Sequence, residues 1–165
     1  MRESQRVEFE WVFRSTYPSV LRTTYLVLHD RGRAEEITQD AFLRLCERWR
    51  GIIRIDNPEA WVRKVAIRAA IKQAKNARLR PVVDATDEPA VADRLPDVDL
   101  ARAIATLAPQ QRAAVALFYL EDRSVDEVAH LLEVSPSTVK QHLFRARAKL
   151  AELLSETEEV HGDVD

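Results

Sequence analysis

Residues 124–147, SVDEVAHLLEVSPSTVKQHLFRAR, decide the fold of the second half of this 165-residue chain. Ser124 followed by Glu127 forms a capping box, which predicts the start of a short helix. Ser135 followed by Pro136 predicts a second start, with serine as the N-cap and proline at the first helical position. Two short helices joined by a turn of about three residues have the layout of a helix-turn-helix, which we therefore predict here.

The second helix of this motif has one apolar face and one polar face. Its apolar side chains recur every three or four residues and predict a stripe that packs in the core: Val139, Leu143, Ala146 and Leu150. The other face suits the base edges and phosphates of a DNA major groove: Ser137, Lys140, Gln141, Phe144 and Arg145. Phe144 has no folding role among these polar residues, so we prefer DNA reading to a solvated face. Arg147 lies nearer the apolar stripe and is predicted to contact phosphate.

Helical periodicity extends over most of the chain and predicts an all-α fold. The chain has only 3 glycines and little of the alternation that is typical of strands. An apolar, aromatic-rich segment covers residues 9–28, where Pro18 is expected to kink the helix or to start a new one. Asn57 and Pro58 predict the start of a helix that continues to about residue 80. Further helices are predicted over residues 34–49, 100–107 and 110–120.

A basic stripe follows the Asn57-Pro58 start. Four cations recur at helical spacing, in a stretch without acidic residues: Lys64, Arg68, Lys72 and Lys75. Trp61 projects beside them. Cations for phosphates and an aromatic ring for bases are typical of a surface that holds DNA strands. The plainer alternative is that the four cations are simply solvated and that Trp61 lies in the core. The two interpretations are compatible if Trp61 is buried and only the cations contact phosphate.

Charge is segregated along the chain, although the net charge is only -2. Residues 1–80 carry 17 Lys and Arg against 10 Asp and Glu, and residues 101–150 carry 7 against 5. Residues 81–100 carry 1 basic residue against 6 acidic ones, and residues 151–165 carry 6 acidic residues and no basic one. Two basic segments, one followed by an acidic linker and one by an acidic tail, are typical of a two-module DNA-binding protein.

These patterns define the predicted domain organisation. Prolines and acids together predict that residues 81–97 are extended and flexible. We therefore predict two small helical domains, residues 1–80 and 99–155. They are joined by an acidic linker, residues 81–98, and followed by an acidic tail, residues 156–165.

The sequence contains no constellation of residues suited to catalysis. Its four histidines are scattered, Cys46 is the only cysteine, and we find neither a Gly-rich phosphate loop nor metal-ligand spacing. We expect no enzymatic activity, no cofactor and no metal. No apolar run reaches the roughly 18 residues of a membrane span, and the first residues lack the apolar region of a signal peptide. A cytoplasmic location without a membrane span is therefore expected.

Together these segments resemble the extracytoplasmic-function (ECF) sigma factors of the bacterial sigma-70 family, over about residues 5–155. Residues 34–44, AEEITQDAFLR, are similar to the family's region 2.2, which contacts the clamp helices of the polymerase β′ subunit. The resemblance implies that role for Glu36, Gln39, Asp40 and Arg44. It also implies core RNA polymerase as the partner, including its β flap.

Two further segments resemble the DNA-contacting regions of the family. Residues 57–62, NPEAWV, are similar to the start of regions 2.3 and 2.4, which melt and read the minus-ten element. Residues 50–56 match the loop that captures a flipped-out base. Residues 135–147 are similar to the region 4.2 recognition helix, which meets the minus-thirty-five element. The resemblance implies these DNA-binding residues: Trp61, Lys64, Arg68, Lys72, Lys75, Ser137, Thr138, Lys140, Gln141, Phe144, Arg145 and Arg147.

The implied function is promoter-specific initiation of transcription, with an anti-sigma factor as a further implied partner. The acidic linker is similar to the family's substitute for region 3.2 and would run through the polymerase channel. Arg68 and Lys72 stand where many members have Asn and Asp, so the base preference at the minus-ten element does not transfer. Glu133 stands where the turn usually has Gly, and a positive φ there would cost about 1 kcal/mol.

Two alternatives compete with this interpretation. A helix-turn-helix regulator with an N-terminal dimerisation or sensing domain would bind DNA alone. A helical adaptor that binds no DNA would require both basic faces to be accidental. Residues 36–44 discriminate among them, because only a sigma factor needs a face that docks on polymerase.

Overall fold

A computed structural model describes residues 1–51, 55–77 and 98–162 of the protein. These residues are helical outside short turns, and none of them lies in a strand, so the predicted all-α fold is confirmed. The chain divides into two compact units, Met1–Glu88 and Pro89–Asp165. The predicted flexible segment, residues 81–97, lies outside the described residues, as does the middle of the predicted base-capturing loop.

Three long helices form the first unit: α1 (Glu3–Leu28), α2 (Arg31–Arg50) and α3 (Pro58–Ala77). Each packs against the other two. Asn57 caps α3 as predicted, because its Oδ1 accepts a hydrogen bond from the Ala60 amide at 3.0 Å. α1 continues through Pro18, so the expectation that this proline starts a new helix is wrong. Pro18 and Arg14 are exposed, and water can therefore serve the Arg14 carbonyl that lost its helical donor.

The core of the first unit combines apolar side chains with hydrogen-bonded hydroxyls. Val20, Leu45 and Val62, one from each helix, are fully buried. The buried hydroxyls of Thr24 and Thr38 lie 3.0 Å apart and join α1 to α2. Because buried polar groups are costly unless they are hydrogen-bonded, this pairing favours one register between the two helices. The orientation of α2 relative to α1 is thereby fixed.

Four α-helices and one π-helical segment lie among residues 98–162, in the second unit: α4 (Val98–Ala105), α5 (Pro109–Val115), the π-helical segment Ala116–Leu120, α6 (Val125–Leu132) and α7 (Pro136–Gly162). The helix predicted over residues 110–120 therefore ends in a π-helical turn. α7 continues past residue 155, into the predicted acidic tail.

The helix-turn-helix forms from α6 and α7. The Ser124 Oγ accepts a hydrogen bond from the Glu127 amide at 3.1 Å, and the Ser135 Oγ accepts one from the Thr138 amide at 3.2 Å. Both predicted N-caps are confirmed. Glu133 in the turn has φ 55 and ψ 45, the left-handed conformation in which a residue with a Cβ costs about 1 kcal/mol. The predicted core stripe of α7 is buried as far as Ala146, and its last member, Leu150, is half-buried.

Candidate polymerase and DNA interfaces

The residues predicted to bind polymerase share the exposed side of α2: Glu36, Gln39, Asp40 and Arg44. Asp40 and Arg44 form an ion pair with 3.0 Å between Oδ2 and Nε, and both side chains are largely exposed. Leu43 lies on the same side and is 64% exposed. We call these five residues the α2 face. The α2 face thus presents one apolar side chain among charged and polar ones.

The four cations predicted on α3 also share one side of their helix. Arg68, Lys72 and Lys75 are exposed, and Lys64 is half-buried. We call these four residues the α3 stripe. Arg63 is a fifth cation of the helix but lies in the core, where its Nη2 donates a hydrogen bond to the Ser19 Oγ at 2.7 Å. Arg63 therefore connects α3 to α1 and does not belong to the stripe.

Trp61 lies at the start of the α3 stripe and is half-buried. The guanidinium carbon of Arg48, near the end of α2, lies 5.1 Å from the centroid of its ring. A guanidinium at this distance is attracted to the negative face of the ring. A DNA strand that reached Trp61 would thus meet an aromatic ring from α3 and a cation from α2 together.

The predicted DNA-reading side chains of α7 are exposed: Ser137, Lys140, Gln141, Phe144 and Arg145. We call them the α7 face. Phe144 is 72% exposed, so it contributes little to the core. The Ser137 and Thr138 hydroxyls lie 3.0 and 2.9 Å from the Ser135 Oγ, at the first turn of α7. These hydroxyls form a small hydrogen-bond network with Ser135, the N-cap residue of α7.

Arg147 contacts a residue that precedes the helix-turn-helix. Its Nε donates a hydrogen bond to the Tyr119 Oη, and its guanidinium carbon lies 5.6 Å from the centroid of the Tyr119 ring. Tyr119 belongs to the π-helical segment and is 47% exposed. Tyr119 therefore contacts the Arg147 side chain, which is predicted to bind phosphate, at one edge of the α7 face.

Comparison with known families identifies the family of the chain that carries these faces. Residues 12–80 match the model of sigma-70 region 2, and residues 97–150 match the model of sigma-70 region 4. The ECF RNA polymerase sigma factor SigM of Mycobacterium tuberculosis is 32% identical over 154 residues, which cover 90% of this chain and 78% of SigM. The chain belongs to the ECF sigma factors.

A second relative agrees with this assignment, and a solved structure shares the fold. The RNA polymerase sigma-E factor of Streptomyces antibioticus is 32% identical to this sigma factor over 159 residues, 93% of the chain and 88% of the relative. The sigma factor RpoE, from a structure with the anti-sigma factor NepR from Bartonella quintana, superposes with a TM-score of 0.69. It is 20% identical, covering 90% of this chain and 97% of RpoE, and this likeness concerns the fold alone.

As an RNA polymerase sigma factor, the protein directs promoter-specific initiation of transcription. The match of its N-terminal helices to region 2 disfavours a regulator with a dimerisation or sensing domain. Among the described residues of the sigma factor, none of the helices combines the length and the apolar character of a membrane span.

Three residues at these faces of the sigma factor were missed by the sequence prediction. Leu43 is detectable, because it is apolar but lies out of phase with the buried stripe of α2. Arg48 and Tyr119 carry no such signal. Their partners lie on other helices, and helical periodicity within one segment gives no information about them.

Proposed function

We propose that this sigma factor works through three separate faces. The α2 face binds the β′ clamp helices of core RNA polymerase, the α3 stripe with Trp61 opens and holds the minus-ten element, and the α7 face reads the minus-thirty-five duplex. One observation carries the proposal. Each of the three helices buries one side and presents on its other side a set of polar, charged or aromatic groups that the core does not use.

The α2 face has the chemistry of a docking surface. Burial of Leu43 against a partner removes apolar area from water, which supplies affinity. Glu36 and Asp40 contribute charge, and charge complementarity mainly sets orientation and association rate. The Asp40–Arg44 pair favours one position of the Asp40 carboxylate before binding, which slightly lowers the ordering cost of the complex.

The α3 stripe suits backbone contacts more than base reading. Ammonium and guanidinium groups that neutralise phosphates give affinity that depends on salt and not on sequence. Arg68 and Lys72 are of this kind, so the stripe would hold the opened strand through its phosphates. Trp61 and the Arg48 guanidinium that lies over its ring supply two flat groups on which an unpaired base can stack.

The remaining assignments follow from membership of the family. Residues 1–80 would act as region 2 and residues 99–155 as region 4, connected by the acidic linker of residues 81–98. An anti-sigma factor would inhibit by covering the α2 face or the DNA-reading faces, and the polymerase β flap would be a further contact. The chain itself would perform no chemistry, and it would act in the cytoplasm, where polymerase and promoters meet.

Strand opening is tested by Trp61→Ala. In holoenzyme we expect the variant to open a duplex promoter about fivefold more slowly, because an aromatic residue that stacks on a base contributes about 1 kcal/mol or more. A template with a mismatched, already opened minus-ten segment should restore the rate. Opening can be followed by the fluorescence of a base analogue in the minus-ten element.

Trp11→Ala is the matched control, because it removes an exposed tryptophan of the same unit that lies outside the three faces. It should open both templates at the wild-type rate. A Trp61→Ala defect that persists undiminished on the mismatched template would contradict the role in strand opening.

A further inference from the structure

Tyr119 and Arg147 form a pair on the surface of the second unit. The Arg147 Nε donates a hydrogen bond to the Tyr119 Oη, and the guanidinium also lies over the Tyr119 ring. Two different interactions thus join the same two side chains, 28 residues apart in the chain. The terminal nitrogens of Arg147 have no acceptor among the described residues, so they remain free to bind an external group.

Local structure directs Tyr119 towards α7. The Glu121 amide donates to the Ala116 carbonyl at 3.1 Å, a bond that widens the last turn of this segment into a π-helix. Leu117 stays fully buried, whereas Tyr119 faces outwards. The ring of Phe118 meets the Tyr119 ring edge-on, with 4.9 Å between centroids and an interplanar angle of 86°. The Phe118 ring therefore limits the positions that the Tyr119 ring can take.

The position of Arg147 connects this pair to the α7 face. Arg147 lies seven residues after Lys140, which is almost two full helical turns, so the two cations flank the same edge of that face. An exposed arginine loses rotational freedom about several side-chain bonds when it binds. This loss of conformational entropy costs about 0.5 to 1.5 kcal/mol for one long side chain. A side chain that is already held avoids part of this cost.

We propose that Tyr119 is a positioning residue for promoter binding. It accepts a hydrogen bond from the Arg147 Nε and thereby orients the two terminal nitrogens of the guanidinium towards a DNA phosphate beside the minus-thirty-five element. This inference rests on the proposed function of the α7 face. It assigns a role in DNA binding to the π-helical segment, which lies before the helix-turn-helix.

A double-mutant cycle in holoenzyme tests the inference. Tyr119→Phe removes only the hydroxyl acceptor and keeps the ring, so we expect affinity for a promoter fragment to fall about twofold to fivefold, equally for all minus-thirty-five variants. Arg147→Ala should cause a larger loss. In the Arg147→Ala background, Tyr119→Phe should have no further effect, since nothing is left to orient.

Arg147→Lys provides a matched variant, because it keeps the charge but has no Nε to donate to Tyr119. It should lose as much affinity as Tyr119→Phe or more, and it should be insensitive to Tyr119→Phe. A purely structural role for Tyr119 predicts the opposite, namely the same loss in every background together with a lower unfolding temperature.

Three outcomes would overturn the inference. Wild-type affinity for Tyr119→Phe together with a defect in Arg147→Ala would remove the positioning role but leave the α7 face intact. Equal losses from Tyr119→Phe with and without Arg147 would show that the two residues act independently. Wild-type affinity for Arg147→Ala would remove the phosphate contact itself. Transcription by the wild-type holoenzyme in the same experiment reports separately on the proposed function.

Discussion

Reversal of a single charge on the α2 face is expected to separate this sigma factor from core polymerase. Asp40→Lys removes the 3.0 Å ion pair and places a second cation beside Arg44. Opposed like charges in an interface cost several kcal/mol, so we expect affinity for core polymerase to fall on the order of 100-fold. The affinity can be measured by fluorescence anisotropy of the labelled sigma factor titrated with core polymerase.

Folding should not be affected by this change. Asp40 is exposed, and an ion pair of this kind within a helix contributes only about 0.3 to 0.5 kcal/mol to stability. Glu8→Lys is the matched control, because it makes the same charge change at an exposed position of α1 outside the three faces. It should bind polymerase almost like the wild type. Wild-type affinity in a folded Asp40→Lys variant would refute the docking role of the α2 face.

Arg145 and Arg147 are expected to differ in what they recognise, although both are arginines exposed on the same helix. Arg145 belongs to the α7 face, opposite the buried stripe, where a guanidinium can reach a base edge. A good base contact contributes about 1 to 3 kcal/mol of discrimination, so Arg145→Ala should relax the preference at one minus-thirty-five position. Arg147 is held by Tyr119 at the edge of that face and should contact phosphate.

The two variants are therefore each other's control. Arg147→Ala should weaken binding to all promoters about equally and reduce the salt dependence by about one charge. Holoenzyme affinities on a set of promoters with single base substitutions, each measured at several salt concentrations, distinguish the two roles. An unchanged preference for Arg145→Ala together with an altered one for Arg147→Ala would reverse the assignment.

Local signals predicted three helix starts of this protein correctly, whereas α1 and α2 begin earlier than predicted, at Glu3 and Arg31. The caps at Asn57, Ser124 and Ser135 depend on a side chain and an amide three residues later, so nearby sequence determines them. The sequence left the φ of Glu133 open, and the structure gives it a value of 55. At Pro18 the sequence left a kink or a new helix open, and the second alternative is wrong because α1 continues through the proline.

The remaining features depend on tertiary contacts. Apolar spacing over residues 110–120 fits an α-helix and a π-helical turn almost equally, so sequence could not predict the turn that directs Tyr119 towards Arg147. The residues of each predicted face were chosen by the periodicity of one helix, and in the structure they lie on one side of that helix. The Arg48–Trp61 and Arg147–Tyr119 pairs join different helices, and only their packing brings them together.

Run-off transcription with purified core polymerase is the most direct test of the central claim. Core polymerase with this chain should produce a transcript of defined length from a promoter that core polymerase alone does not use. Base substitutions in either the minus-ten or the minus-thirty-five element should reduce that transcript. A chain that bound the promoter DNA alone but gave no polymerase-dependent transcript would contradict its function as a sigma factor.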